Sequence, residues 1–239
     1  MAEKHEQRLA AWARRGDAGA APVPAATVVL LRDGPRGLET LVLRKSSQVA
    51  FGGMWVFPGG RVDAADGQGL DPADELAAAR RAAAREAGEE AGLAVDAASL
   101  VVFSHWTPPP VAPRRFLTWF FLAPAPTGGV SVDRGEIHDH AWMGPAEALA
   151  RREAGEIELA PPTWVTLHEL SAWGSAPQAL AAARAREPER YTTRIASAPG
   201  GVVALWHGEA GYAEGDATRP GPRHRLWMLD SGWRYERSA

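Results

Sequence analysis

The 239-residue chain is 46% hydrophobic and 23% charged, long enough for one well-buried domain with an extension and unlike a disordered or collagen-like chain. Its net charge of −3 and pI near 6.2 leave no broad basic field for a nucleic-acid duplex, so any phosphate recognition must be local. The absence of cysteine removes disulfides, zinc-thiolate sites and thiol nucleophiles, which confines the chemistry to oxygen and nitrogen groups.

The N-terminal stretch mixes charges throughout and holds no apolar segment of signal-peptide length. No later apolar run reaches the roughly 18 residues needed to span a bilayer, so the chain reads as cytoplasmic with no membrane partner. A short helix is expected around residues 9–14, and residues 16–24 read as a linker, giving a tail over 1–24. The β-rich runs at 25–32 and 38–44 flank the turn composition DGPRG and predict a hairpin. After Trp55-Val56-Phe57 the Pro58-Gly59-Gly60 step is expected to turn the chain, its glycines permitting backbone geometry that a side chain forbids. The Asp- and Gly-rich stretch 61–72 is long for a loop in a compact domain.

Asp71 is placed to cap a helix over 73–91 with Pro72 at its first position; alanine dominates that segment, and Gly92 can end it in a left-handed cap. Strands are predicted at 100–105 and 115–123, split by Pro108-Pro109-Pro110, and a short one at 139–143. Helices follow at 145–152, 163–172 and 176–186, then strand-like pieces at 202–206 and 225–229, with no internal repeat. This order predicts a layered α/β domain with helices on both faces of a mixed sheet.

The segment REAGEEAGL at 85–93 carries the chemistry. At helical spacing Glu86 lies on one side with Glu89 at i+3 and Glu90 at i+4, a crowding of like charge that costs a few tenths of a kcal/mol per pair. Clustered carboxylates suit a hard divalent ion, Mg²⁺ or Mn²⁺, which commonly binds through a few carboxylates and substrate phosphates. The pattern therefore points to phosphate chemistry.

FPGG at 57–60 followed by REAGEEAGL at 85–93 resembles the signature of the Nudix hydrolases. The resemblance implies a Nudix-type α/β/α sandwich with a mixed β-sheet over 25–170 and a helical plus β C-terminal extension over 171–239. It implies that Glu86 and Glu90 ligate the metal and that Glu89 shares ligation or polarises the attacking water; Arg85, one helical turn from Glu89, either orients it by a charge-assisted hydrogen bond or forms a plain surface salt bridge. Gly60 is a candidate carbonyl ligand or a plain turn glycine, and Glu136 a candidate additional base or ligand. The family's further acid, nine residues before Glu86, and its glycine, six before that, would fall on Ala77 and Asp71, and neither matches. An insertion between Gly60 and the helix accounts for this, with Asp74 or Glu75 either replacing the acid or favoured by the helix dipole.

Arg44, Lys45 and Arg61 are candidate phosphate contacts or exposed cations; His138, Asp139 and His140 are a candidate metal or proton-shuttle cluster. The run Arg223-His224-Arg225 could meet a 3′-phosphate or form a solvated strand edge, and Trp55, Trp106 and Trp119 could stack on adenine or fill the core. The stretch 41–66, the long spacer, FSHWTPPPVAPRRFLTWFFL and ALWHGEAGY are similar to the peroxisomal-type coenzyme A diphosphatase branch and its bacterial relatives. The expected substrate is a small nucleoside-diphosphate derivative, coenzyme A or an acyl-CoA, split by water at phosphorus. ADP-ribose, a dinucleotide or a nucleoside triphosphate is the alternative, as is a nucleotide sensor without turnover; a homodimer stays open.

Overall fold

The computed structural model describes residues 21–46, 52–112, 114–132 and 135–238. The helix expected at 9–14 lies outside them. The chain divides into two compact units, one of residues 24–105 and 118–189, the other of 1–23, 106–117 and 190–239.

The first unit is built on a sheet. Strands β1 (Val23–Gly34) and β2 (Gly37–Lys45) form the expected antiparallel hairpin, with Leu31 opposite Thr40 and Gly34 opposite Gly37. Then come β3 (Trp55–Val56), β4 (Gly59–Arg61), β5 (Val101–Thr107), β6 (Phe116–Pro124) and β7 (Ile137–Met143). The order is β3-β2-β1-β6-β5, with β4 also on β1 and β7 also on β2. Helix α1 (Glu75–Ala91) lays Ala79, Ala82, Ala83, Ala87 and Ala91 on Val28, Leu30, Leu41, Leu43 and Phe121. Spacing of three and four puts those alanines on one stripe, and strand alternation puts the aliphatic residues on one face. Small side chains let the helix approach closely, and a larger residue at Ala83 would overpack the contact by about 1–3 kcal/mol. Three further helices, α2 (Pro145–Glu153), α3 (Pro161–Leu170) and α4 (Ala176–Arg184), each carry proline within their first two positions; α2 packs on α3 and against β2. The layered α/β class read from the sequence is the one observed.

Local expectations change around the inserted stretch. The helix starts at Glu75, because Asp74 accepts the Ala77 amide at 3.0 Å and is the true cap. Asp71 closes its own turn on the Ala73 amide at 2.9 Å, and Pro72 stays outside the helix. The expected loop contains a short 3₁₀ helix, Ala64–Gly67, capped reciprocally by Asp63 and Asp66. Nor does the FPGG segment turn at its glycines, which are extended in β4 and paired with Thr27 and Ala26. Their requirement is space: a Cβ on Gly59 would lie 2.5 Å from the Ala26 carbonyl oxygen and the Thr27 hydroxyl.

In the second unit β9 (Arg194–Ala198), β10 (Gly201–Leu205), β11 (His224–Leu229) and β12 (Gly232–Arg237) form an antiparallel meander, after a short strand β8 (Glu189–Thr192). The sequence reading anticipated β10 and β11 alone. Trp106 stacks flat on Tyr191 at 3.9 Å and meets Trp206 edge-on at 5.7 Å, so it is core, not an adenine platform. Arg223-His224-Arg225 is not a solvated edge. Arg225, 2% exposed, donates from Nε to the fully buried Glu209 at 2.8 Å, and its Nη2 also reaches that carboxylate. Arg223 adds a contact at 3.1 Å and the His224 amide another at 3.0 Å. Burial pushes the Glu209 carboxyl up, but the Arg225 and His224 hydrogen bonds and the two guanidinium charges outweigh it and hold its pKa at about 2. Among the described residues no helix is long and apolar enough to cross a membrane.

Because the Glu209 pKa is depressed from its ordinary 4.5, the stabilisation is complete above that value and is lost as pH falls from 4.5 through about 2. Glu209→Gln is expected to destabilise the fold by about 3–5 kcal/mol by stranding a buried guanidinium. Urea unfolding at neutral pH measures this, and the gap between variant and parent should shrink below pH 4.5.

Candidate active site

The last two turns of α1 face β4. A Cβ on Gly60 would fall 2.2 Å from Glu86 Oε1, so only a glycine main chain can lie against that carboxylate. One turn on, Glu90 accepts the Gly59 amide at 2.9 Å through Oε2 and Lys45 Nζ at 2.6 Å through Oε1. Both carboxylates are shielded, with side-chain exposures of 14% and 6%. Burial pushes the Glu86 carboxyl above its ordinary value; Arg85 opposes this, while Glu90 and Glu89 add to it. Burial also raises Glu90, against the charge and hydrogen bond of Lys45 and the Gly59 amide, with Glu136 adding to the rise. Two acids held so close and so dry are short of positive charge.

Arg85 anchors the cluster from below. Its Nε and Nη2 grip Asp66 at 3.2 and 3.1 Å; Nη2 also reaches the Arg61 carbonyl at 3.0 Å; Nη1 donates to Glu86 and Glu89, each at 2.9 Å. That set employs every N–H direction of a guanidinium. Hydrogen bonding to Asp66, joined by the Glu86 contact and both charges, outweighs burial and raises the Arg85 pKa, so it stays charged.

Asp66, 5% exposed, is the residue the sequence reading missed. It stands six residues after Gly60, the family's spacing from glycine to acid. Counting forward from Gly60 finds it, whereas counting back from Glu86 lands on Ala77; the resemblance then implies that the extra residues lie after the acid. Asp74 and Glu75 are therefore helix-start charges, with Asp74 the cap.

The expected trio of acids is split. Glu86 and Glu90 meet the glycine strand, while Glu89, with its side chain 60% exposed, flanks them on Arg85. Among the described residues no three acidic or histidine side chains converge as a metal-binding group. The Glu86 and Glu90 pair against the Gly60 main chain nonetheless fits a hard divalent ion: its donors are oxygen alone, and its excess negative charge is buried. Glu136 comes to the same place, its carboxylate 3.7 Å from Lys45 Nζ. Arg44 is exposed, one residue out of phase with Lys45, opposite Trp55 on one side and Asp139 on the other. Arg61 is exposed and serves through its carbonyl. His138, Asp139 and His140 lie in strand β7. Trp55 is buried in β3, and Trp119 is half-buried 4.4 Å from His105.

The NUDIX domain model matches residues 21–186, most of the chain. The chain belongs to the Nudix family. Among solved structures, a Nudix hydrolase from Alicyclobacillus acidocaldarius is 25% identical over 68% of this chain and 96% of its own, with a TM-score of 0.61. A Caenorhabditis elegans Ap4A hydrolase is 25% identical over 62% and 96%, at a TM-score of 0.41. The Nudix domain of Shewanella oneidensis NrtR, solved with ADP ribose, is 17% identical over 71% and 97%, at 0.47. No curated protein matches the chain.

Asp66→Asn is expected to lower kcat about 10–100-fold with little change in KM, since it loosens the group that positions Glu86 and Glu89. Steady-state kinetics beside a thermal melt separates this from unfolding. Gly60→Ala, which drives a methyl into Glu86, should act in the same direction while Asp66 and Arg85 remain intact.

Proposed function

We propose that this Nudix pyrophosphohydrolase cleaves the diphosphate linkage of a small nucleoside-diphosphate derivative with Mg²⁺ or Mn²⁺, and that coenzyme A or an acyl-CoA is its substrate. The observation that carries the reading is the pair of desolvated carboxylates, Glu86 and Glu90, set against the Gly59-Gly60 strand and braced by Arg85. The coenzyme A assignment rests on the likeness of residues 41–66 and of the later segments to that branch.

Glu86 and Glu90, with the Gly60 main chain, would hold the ion. When bound it would neutralise the diphosphate and lower the pKa of a water. Arg85 keeps Glu86 and Glu89 aligned throughout, so the carboxylates need not reorganise as charge develops on the phosphoryl oxygens. Glu89, the most exposed of the three and paired with Arg85, is the residue we assign to take a proton from water. Arg44 and Arg61, both exposed, are the cations available for the substrate's outer phosphates. Attack by water at one phosphorus breaks the bridging P–O bond and leaves two phosphomonoesters. From coenzyme A these are a 3′,5′-ADP and a 4′-phosphopantetheine.

Purified protein with either metal and a panel of coenzyme A, an acyl-CoA, ADP-ribose, NADH and nucleoside triphosphates should yield the two phosphomonoesters from coenzyme A, identified by mass. Preferential cleavage of another member would reassign the substrate, and cleavage of none would remove the enzymatic reading. Glu90→Gln should lower kcat by about 10²–10³-fold with the fold retained. Metal affinity should weaken as pH falls through the raised range of Glu86 and Glu90, because protons and the ion compete for the same oxygens.

A further inference from the structure

Lys45 stands two residues past Leu43, the last of the aliphatic run of β2. Leu41 and Leu43 face the alanine stripe of α1, and Lys45 continues that face by strand alternation, which carries its ammonium under the helix end. Its main chain is tied through both polar groups to residues 53–54: its amide donates to the Met54 carbonyl at 3.0 Å and its carbonyl accepts from the Gly53 amide at 2.9 Å. The β2–β7 ladder shifts register between Arg44 and Lys45, where Ile137 becomes the partner. The extra residue, His138, lies in β7, so the alternation of β2 carries through unbroken to Lys45. Lys45 thereby lies between two acids, Glu90 at 2.6 Å and Glu136 at 3.7 Å. The two partners differ: Glu90 is buried, whereas the Glu136 side chain is 62% exposed.

With Lys45 on Oε1 and the Gly59 amide on Oε2, both oxygens of Glu90 are engaged. An ion approaching this carboxylate meets a resident cation first. We propose that Lys45 is a positioning residue which neutralises Glu90 before metal loading and shifts its ammonium to Glu136 as the ion binds, so that Glu136 serves as the receiver of Lys45. The side chain has the reach for this, since four methylenes on a fixed backbone need to move the ammonium only between carboxylates it already lies beside. The exchange keeps the buried carboxylate paired at every stage, and an unpaired buried charge is the costly state. It also makes metal affinity a difference between two ion pairs, set by Lys45 and Glu136 without either having to touch the ion.

The inference rests on the metal-binding reading of Glu86 and Glu90, and a direct binding measurement separates the two. Free Mn²⁺ is followed by electron paramagnetic resonance as it is titrated into the substrate-free protein, at a pH well above the carboxylate range. The parent should bind Mn²⁺ and Glu90→Gln should bind it far less; no binding by the parent overturns the metal reading itself. Given binding by the parent, Lys45→Met should bind on the order of tenfold more tightly, because the competing charge is gone. Glu136→Gln should bind more weakly than the parent, because Lys45 then has no second partner. In the Lys45→Met background Glu136→Gln should have little further effect. Equal or weaker binding by Lys45→Met overturns the proposal, as does parent-like or tighter binding by Glu136→Gln. The exposed Glu136 site keeps the question open to experiment even if Lys45→Met fails to fold.

Discussion

The chemistry depends on how closely the end of α1 can approach β4. Two consecutive residues without side chains, Gly59 and Gly60, let main chain lie where any Cβ would collide with Thr27 on one side and Glu86 on the other. The alanine stripe of α1 completes the approach by bringing the helix down onto β1 and β2. Carboxylates are thereby drawn out of water, which raises their proton affinity and makes them demand a cation. The carboxylate pair is a local instability, held in place by a stable alanine-on-aliphatic interface.

Two positive side chains manage that instability from opposite sides. Arg85 is saturated by Asp66, Glu86, Glu89 and the Arg61 carbonyl and acts as a fixed brace. Lys45, by contrast, lies between unequal partners. The planar fork of arginine suits the first task and the single ammonium of lysine the second. Their roles do not interchange.

What could be read from the sequence was what neighbours in sequence decide. The hairpin of β1 and β2, the helix over Glu75–Ala91 and its Gly92 cap follow from turn composition and helix propensity, and helical spacing puts Glu86 and Glu90 one turn apart. The helix start was misplaced by two residues because Asp71 and Asp74 are both credible caps, and only the hydrogen bond to Ala77 distinguishes them. Asp66 and Lys45 act across 19 and 45 residues, so local pattern could not pair them with Arg85 and Glu90. Each left a trace all the same: Asp66 in its distance from Gly60, Lys45 in its phase with Leu41 and Leu43. The Glu209 cluster left less, since a loop acid and a strand arginine 16 residues apart look solvated until the core closes over them.

The stretch after Asp66 is held at its near end. Arg81 donates to the Gln68 carbonyl at 2.7 Å, and Arg85 fixes Asp66 itself, while Leu70 to Asp74 lie at or near the surface before the helix begins. The acid and the helix are thus joined in space by arginine and only incidentally by the chain between them. The bridge from Arg85 to Asp66 holds the two ends together without relying on the length of that interval. A recognition pattern written with a rigid gap would overlook proteins built this way, and one that lets the gap float while fixing the acid to its glycine would recover them.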